Sequence, residues 1–285
     1  MKVAIQGLKG AFHEMAATSY FGSDAELIYF DTFTEVFDAL KTGAATSAVV
    51  AIGNSRYGDI SNVYDIMIKN HLEKNSNHVF WIGGEVYVKI EQCMLGVPGT
   101  TLETIHEVHS QAPALGQCHD FLHSKIPNVT LVEEDDTAKS ARLVSEWADT
   151  TKAAIASRAA AQIYNLEVIA ENIQDDPLNI TRFLVIESDV PAADSGSTKT
   201  SLLLNTLDEP GSLVSALQLF SENGVNLSYI QSVPIPDKHF RYRFYIDLEA
   251  GAEDKRVTKV LETLKSRGYV VDILGSYKNA TMPKG

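Results

Sequence analysis

The sequence predicts an α/β protein made of two parts, a two-lobed segment followed by a smaller βαββαβ unit of the ferredoxin-like arrangement. Three observations predict this. Strand-like and helix-like runs alternate through the first part, which is typical of a mostly parallel sheet covered by helices. The run at 187–197, ESDVPAADSGS, is polar and lacks periodicity, as a linker does. The residues after this run show strand-like and helix-like patterns in the order βαββαβ.

The first part opens with a βαβαβ rhythm. Its predicted elements are a strand at 3–5, a Gly-containing turn at 7–10, a helix at 12–20, a strand at 27–30, a helix at 33–40 and a buried strand at 48–52. The following predicted elements are strands at 86–90 and 93–97, a helix at 113–123, a strand at 130–132, a helix from residue 137, a strand at 153–155, a helix through residue 161, and strands near 168 and at 183–186. Predicted strands therefore occur at the start and again at the end of this part, with a middle block between them. This order favours two lobes with a cleft between them.

The second part has clearer periodicity. A strand is expected at 200–206, and an apolar stripe at 213, 216, 217 and 220 indicates a helix that Gly224 ends. A second strand is expected at 225–233. Apolar residues from Phe240 to Leu248 alternate with Arg241, Arg243 and Asp247, so we expect a strand with one buried face. A helix at 257–264 and a strand at 269–274 complete the unit.

Charge and cysteine content exclude several classes of protein. The 285 residues hold 24 Lys and Arg against 37 Asp and Glu, a formal charge of −13. A chain this acidic argues against nucleic-acid or anionic-membrane partners, although a few placed cations in one cleft suffice to bind an anionic substrate. Cys93 and Cys118 form no disulfide framework, and we see neither a signal peptide nor a membrane-spanning run. We expect a soluble, cytoplasmic protein.

The segment Asn179-Ile180-Thr181-Arg182-Phe183 is the strongest chemical signal. A Thr hydroxyl is a neutral proton donor, and an Arg guanidinium is a clamp for a carboxylate. The alternative interpretation is a strand edge with an exposed Arg, and these residues alone do not decide between the two.

The stretch 153–186, which contains this segment, closely resembles the end of the catalytic domain of prephenate dehydratases. Four weaker segments follow the family's order: GLKGAFHEMAA at 7–17, AVVAIGNSRYGDI at 48–60, HSQAPALGQC at 109–118, and DTA at 136–138. The C-terminal βαββαβ unit resembles the family's ACT regulatory domain. The resemblance implies a periplasmic-binding-protein-like (type II) catalytic domain at 1–187, a linker at 188–198 and an ACT domain at 199–285.

The resemblance also implies an activity and a set of site residues. The activity is a carbon–oxygen lyase reaction that converts prephenate to phenylpyruvate in phenylalanine biosynthesis. We expect catalytic roles for Thr181, Arg182 and Phe183. We expect substrate-binding roles for Ala11, Phe12, Asn54, Ser55, Ser110, Thr137, Ala138 and Asn179. The resemblance implies that L-phenylalanine, as effector, binds the ACT domain at Gly211, Ser212, Leu213, Val214, Gln231, Ser232 and Pro234. It further implies a homodimer or homotetramer.

Two departures from the family pattern leave alternatives open. Gly53 stands where the family's Pro-x-Glu-Asn-Ser segment has its carboxylate, and Gln111-Ala112 stands where the family has His-Pro. A non-catalytic amino-acid sensor is therefore one alternative. A dehydratase that prefers arogenate, the amino analogue of prephenate, is the other.

We expect neither a cofactor nor a metal. Gly7-x-x-Gly10 is only half of a dinucleotide fingerprint. Four histidines lie close to Cys118 in the sequence, but proximity alone is a weak sign of zinc, and solvated histidines are the better explanation. The four are His106, His109, His119 and His123.

Overall fold

The computed structural model describes residues 1–59, 63–72, 80–189, 196–235 and 240–283. Most of the predicted linker, residues 190–195, lies outside them. The first elements in chain order are β1 (Lys2–Gln6), α1 (Phe12–Phe21), β2 (Glu26–Phe30), α2 (Phe33–Lys41), β3 (Ser47–Asn54), β4 (Gly58–Asp59), α3 (Val63–Leu72) and β5 (Trp81–Lys89). They are followed by β6 (Cys93–Gly96), β7 (Glu107–Ser110), α4 (Ala112–Gln117), α5 (His119–Lys125), β8 (Thr130–Glu133), α6 (Thr137–Trp147), β9 (Lys152–Ala156), α7 (Arg158–Ile163), β10 (Glu167–Ala170) and β11 (Ile180–Glu187). The last are β12 (Lys199–Asn205), α8 (Ser212–Glu222), β13 (Leu227–Pro234), β14 (Tyr242–Leu248), α9 (Lys255–Ser266) and β15 (Val270–Tyr277).

The first sheet has the strand order β2-β1-β3-β11-β5, with β4 paired to β3. β1 runs parallel to both β2 and β3, as the βαβαβ rhythm predicts. The residues of β3 are nearly all buried because helices cover both faces of a parallel sheet. β11, which carries the Thr-Arg-Phe segment, therefore lies beside β3 in the middle of this sheet.

The second sheet has the order β10-β6-β9-β7-β8 and forms the other lobe. β7 is parallel to β8 and β9, whereas β6 is antiparallel to β9 and β10. Small residues of β9 and α7 pack with Val144 of α6 in its core. The chain enters this lobe after β5 and returns to the first sheet as β11, which confirms the predicted two-lobed arrangement.

The helix predicted at 113–123 is interrupted at Cys118. α4 ends there and α5 begins there. The physical reason lies in the carbonyl oxygen of Gln117, which accepts a hydrogen bond from the backbone N–H of Asp175 at 2.7 Å. That carbonyl is thus bound by another segment, and the chain turns instead of continuing one helix.

The C-terminal sheet has the order β13-β14-β12-β15, and its strands pair antiparallel. The element order βαββαβ confirms the ferredoxin-like prediction. α8 and α9 cover one face and share a core with Leu202, Ile246 and Leu248.

The predicted burial pattern of β14 is wrong. Phe240 is 92% exposed and Tyr242 is 46% exposed, whereas Arg243, Tyr245 and Asp247 are buried. The sheet face opposite the two helices is also covered, because the Tyr64 ring of α3 lies 4.7 Å from the Tyr245 ring. Because both faces of β14 are covered, its residues do not alternate between buried and exposed as predicted.

The chain separates into two compact units. The first comprises residues 1–63, 86–183 and the C-terminal residues from 281, and it holds most of both lobes. The second comprises residues 64–85 and 184–280, and it holds the βαββαβ sheet together with most of α3. The domain boundaries at 187 and 199 remain predictions.

Candidate active site

A cavity of about 260 Å³ lies within the first unit, and elements of both lobes line it. β3, β11 and α1 contribute residues from the first lobe, and α4 and the start of α6 contribute residues from the second. Six of the predicted substrate-binding or catalytic residues line it: Ala11, Phe12, Asn54, Thr137, Thr181 and Phe183. None of the described lining residues is Lys or Arg. An anion in this cavity must therefore be held mainly by neutral donors.

The buried side chain of Asn54 orients Thr181. The amide Nδ2 of Asn54 donates to Thr181 Oγ1 at 3.0 Å and to Asn179 Oδ1 at 2.6 Å. The backbone N–H groups of Arg56 and Tyr57 donate to Asn54 Oδ1 at 2.9 and 3.0 Å, which fixes the amide orientation. Because Thr181 Oγ1 is an acceptor in this contact, its own proton stays available for a group in the cavity.

Gln117 and Gln92 extend this network across the lobes. Asn179 Nδ2 donates to Gln117 Oε1 at 2.9 Å, and Gln92 Nε2 donates to the same oxygen at 3.3 Å. Gln92 is buried, and its Oε1 has no hydrogen-bond partner among the described residues. Buried polar atoms are normally satisfied, so Gln92 Oε1 is a candidate for contact with a bound molecule.

Thr181 and Phe183 face the cavity, and Arg182 does not line it. Neighbouring side chains of a strand point to opposite faces, so Arg182 lies on the other face of β11 from Thr181. This geometry does not support the predicted carboxylate clamp of Arg182. The Phe183 ring contacts the His13 ring edge to face, with 5.1 Å between their centroids.

The helices α1 and α6 both begin at the cavity. Ala11, which precedes α1, makes no side-chain cap, so the first N–H groups of α1 have no such partner. α6 is capped differently, because Asp136 accepts from the backbone N–H of Lys139 at 2.8 Å. Thr137 lines the cavity, whereas the Ala138 side chain is buried in the lobe.

The two predicted serines bind the backbone instead of facing the cavity. Ser55 Oγ donates to the Leu178 carbonyl at 3.2 Å and accepts from the Ile180 N–H at 3.0 Å. Ser110 is fully buried and donates to the Ile155 carbonyl at 2.6 Å. Neither lines the cavity, so the geometry does not support a direct contact with substrate.

His13 and Asp136 are the titratable groups of the cavity wall whose pKa is most altered. Burial lowers the pKa of His13 to about 4, so its imidazole is neutral at neutral pH. Burial raises the pKa of Asp136, although N–H groups of α6 partly oppose this rise. The segments GLKGAFHEMAA, DTA and HSQAPALGQC contain His13, Asp136 and Gln117, but none of the three had a predicted role. Gln92 lies outside every segment that resembles the family.

The predicted effector residues lie on two elements of the second unit. Gly211 precedes α8 with φ of 81°, and Val214 is exposed on that helix. Ser212 Oγ is buried, accepts from the Leu207 N–H and bonds the Tyr269 hydroxyl, while Leu213 packs against the core. Gln231, Ser232 and Pro234 lie on the edge strand β13. No hydrogen bond between described residues joins the two segments, and the effector site remains a prediction.

The histidines near Cys118 do not form a metal site, because no group of three or more His, Cys, Asp or Glu side chains among the described residues is arranged to hold a metal ion. His119 and His123 stack on α5 at 5.9 Å. His109 is not solvated as expected. It is buried on β7, between the carboxylates of Glu107 and Glu134. In addition, none of the described helices has the length and apolar character that crossing a bilayer requires.

The chain matches two family models. The model described as “Prephenate dehydratase” matches residues 3–191, and the one described as “ACT domain” matches residues 200–266. A bifunctional chorismate mutase/prephenate dehydratase of Aquifex aeolicus is 35% identical over 99% of this chain and 75% of its own length. An arogenate dehydratase/prephenate dehydratase of Arabidopsis thaliana is 35% identical over 97% of this chain and 72% of its own length.

Solved structures resemble the whole chain as well. A prephenate dehydratase from Arthrobacter aurescens, in complex with L-Phe, has a TM-score of 0.86 and 26% identity, over 100% of this chain and 92% of its own. A protein described as GqqA, a novel type of quorum quenching acylase, has a TM-score of 0.86 and 27% identity, over 98% of both chains. This likeness confirms the predicted fold class, a two-lobed periplasmic-binding-protein-like domain followed by an ACT domain.

Proposed function

The chain belongs to the prephenate dehydratase family, and from this premise we propose that it converts prephenate to phenylpyruvate as a carbon–oxygen lyase. Prephenate carries two carboxylates and a ring hydroxyl. The bond to the ring carboxylate breaks and releases CO₂, its electron pair enters the ring, and the C–O bond to the hydroxyl breaks. The leaving hydroxide takes up a proton and departs as water. Because the ring becomes aromatic, the protein mainly has to bind a dianion and stabilise the departing oxygen.

The observation that carries the proposal is the orientation of Thr181. Asn54 Nδ2 donates a hydrogen bond to Thr181 Oγ1, so the hydroxyl proton of Thr181 is directed to another acceptor. A donor aimed at the oxygen on which charge develops stabilises the transition state more than the ground state. Thr is a weak acid, so Thr181 assists departure by hydrogen bonding, and the final proton comes from solvent.

The rest of the cavity holds the substrate. The first-turn N–H groups of α1 and the Thr137 side chain offer neutral donors for the carboxylates. Phe183 offers a face for the ring. Asn179 and Gln117 hold Asn54 and thereby act on Thr181 as positioning residues. Arg182 lies on the other face of β11 and does not line this cavity.

The proposal is tested by incubating the purified protein with prephenate and following phenylpyruvate by its ultraviolet absorbance in alkali. Thr181→Ala, prepared in parallel, is the matched control. Turnover that collapses in Thr181→Ala supports both the lyase and its site. Turnover that survives in Thr181→Ala supports the lyase but contradicts the mechanism. Binding of prephenate without turnover by the wild-type protein contradicts the proposal and favours the amino-acid sensor.

Arogenate is the second candidate substrate, and the position of Asp136 in the cavity wall favours it. Arogenate carries an ammonium group where prephenate carries a keto oxygen. Asp136 places a carboxyl group in the cavity wall, where it would attract an ammonium and repel an anion. Competition between the two substrates decides the preference. A kcat/KM for arogenate more than tenfold above that for prephenate would reassign the physiological substrate.

We further propose regulation by L-phenylalanine, assembly into a homodimer or homotetramer, and a cytoplasmic location. The ACT domain and the L-Phe complex of the Arthrobacter relative support the effector. The two buried free thiols, Cys93 and Cys118, fit a reducing compartment. A shift of the melting temperature and of the rate on adding L-phenylalanine tests the effector, light scattering tests the assembly, and cell fractionation tests the location.

A further inference from the structure

His13 lies in the first turn of α1 and lines the cavity. Two aromatic rings flank its imidazole. The Phe183 ring lies 5.1 Å away, edge to face, and the Phe33 ring lies 5.6 Å away. These contacts hold the imidazole on the same cavity wall as Phe183. Phe183 follows Thr181 by two residues on β11, so the two side chains share one face of the strand.

The hydrogen bonds of His13 define which nitrogen carries the proton. The backbone N–H of Ala51 donates to Nε2 at 3.3 Å, so Nε2 is an acceptor. A neutral imidazole carries one proton, which must then sit on Nδ1. With a pKa of about 4 the ring is neutral at neutral pH. Within the part of the chain that the structure describes, Nδ1 makes no hydrogen bond, and Nε2 is the only ring nitrogen that does.

We propose that His13 is a substrate-binding residue whose Nδ1–H donates to the ring carboxylate of prephenate, the group that leaves as CO₂. The inference rests on the function proposed above and names one donor of that site.

The surroundings of His13 suit a carboxylate that has to lose its charge. A cation against this group would stabilise the ground state, because the negative charge leaves the carboxylate as CO₂ forms. The described cavity wall offers neither Lys nor Arg. A neutral donor between Phe33 and Phe183 positions the carboxylate, and the apolar rings favour neutral CO₂ over the anion.

Three substitutions separate the donor from the other contacts of His13. His13→Asn places an amide N–H near the position of Nδ1 and loses the acceptor for Ala51. His13→Gln keeps an acceptor near the position of Nε2 and loses the donor. His13→Phe keeps a ring but neither polar atom. His123→Gln, on the exposed surface of α5, is the matched control for the loss of a histidine.

The measurements are KM and kcat for prephenate, the melting temperature, and the inhibition constant of phenylpyruvate, which lacks the ring carboxylate. We expect KM to rise tenfold to a hundredfold in His13→Gln and His13→Phe, the range for a hydrogen bond to a charged group. We expect KM within about fivefold of wild type in His13→Asn and within twofold in His123→Gln. The inhibition constant of phenylpyruvate should stay within about twofold in His13→Gln.

The opposite pattern, rescue by Gln and not by Asn, would assign His13 the structural role of binding Ala51 and overturn the inference. An unchanged KM in His13→Gln would also overturn it, as would a phenylpyruvate constant that rises as much as KM. A wild-type protein without turnover would instead overturn the proposed function, and this inference with it.

Discussion

Asn54→Asp is the substitution that most sharply tests the site, because it changes one group and keeps the shape. The side-chain NH₂ that donates to Asn179 Oδ1 and Thr181 Oγ1 becomes an oxygen. The contacts from the N–H groups of Arg56 and Tyr57 to Oδ1 remain available. The Thr181 hydroxyl then has a carboxylate 3.0 Å away as its acceptor, and its proton turns away from the cavity.

Two magnitudes follow from these contacts. Loss of one aligned donor to a developing oxyanion lowers kcat about 10²- to 10³-fold, which corresponds to about 2.7–4 kcal/mol of barrier. Asn179 Oδ1 also loses its donor, and Asn179 Nδ2 is already bound to Gln117. A buried acceptor left unsatisfied costs about 1–3 kcal/mol of unfolding free energy. We therefore expect a folded, less stable protein with little activity.

The assay is steady-state turnover of prephenate together with urea unfolding of the same preparations. The added charge also repels the dianion and raises KM, so kcat is the decisive quantity. Ser55→Ala, the next residue along the chain, is the matched control, since its hydroxyl binds only backbone groups. A kcat of Asn54→Asp above one third of wild type, in a folded protein, would refute the assignment of Thr181 as donor.

Three further predictions concern charge and backbone. Burial raises the pKa of Asp136 in the folded state, so the protonated form stabilises the fold and that contribution is lost as pH rises through the raised pKa. The melting temperature of Asp136→Asn should therefore gain on wild type from pH 4 to pH 7, and a gap that shrinks would contradict this. Lys199→Met strands the buried carboxylate of Glu85, whose oxygens lie 2.8 and 3.0 Å from Nζ, and should lower the unfolding free energy by about 3–5 kcal/mol in urea titrations. Gly10→Ala should lower the melting temperature more than the control Gly22→Ala. Both glycines have positive φ, but only at Gly10 would a Cβ lie within 3 Å of a backbone atom. Equal losses of melting temperature would contradict a steric clash at Gly10.

Periodicity predicted the order of elements, because each helix and strand buries a regular face. The apolar stripe from Leu213 to Phe220 lies in α8, and the apolar run 48–52 forms the centre of β3. For β14, periodicity predicted the strand but not its burial. Its second face is covered by Tyr64, a residue almost two hundred positions away, and no local pattern reports such a contact.

The site was predicted only in part, for a similar reason. Thr181 and Asn54 lie on adjacent strands, so the segments that resemble the family pointed to two residues that bind each other. The strand period would have placed Arg182 on the opposite face, but the resemblance treated the three residues of the motif alike. His13 lies within GLKGAFHEMAA but had no predicted role, and Gln92 lies outside all the segments that resemble the family, so their roles follow from tertiary contacts alone.

The central claim is that the hydroxyl proton of Thr181 stabilises the departing oxygen. Its most direct test is the single-turnover rate of phenylpyruvate formation at saturating prephenate in Thr181→Val and Thr181→Ser. Val keeps the shape of Thr without the hydroxyl, and Ser keeps the hydroxyl without the methyl group. We expect the rate to fall about 10²- to 10³-fold in Thr181→Val and to stay within about tenfold of wild type in Thr181→Ser. Equal rates in Thr181→Val and wild type would contradict the claim.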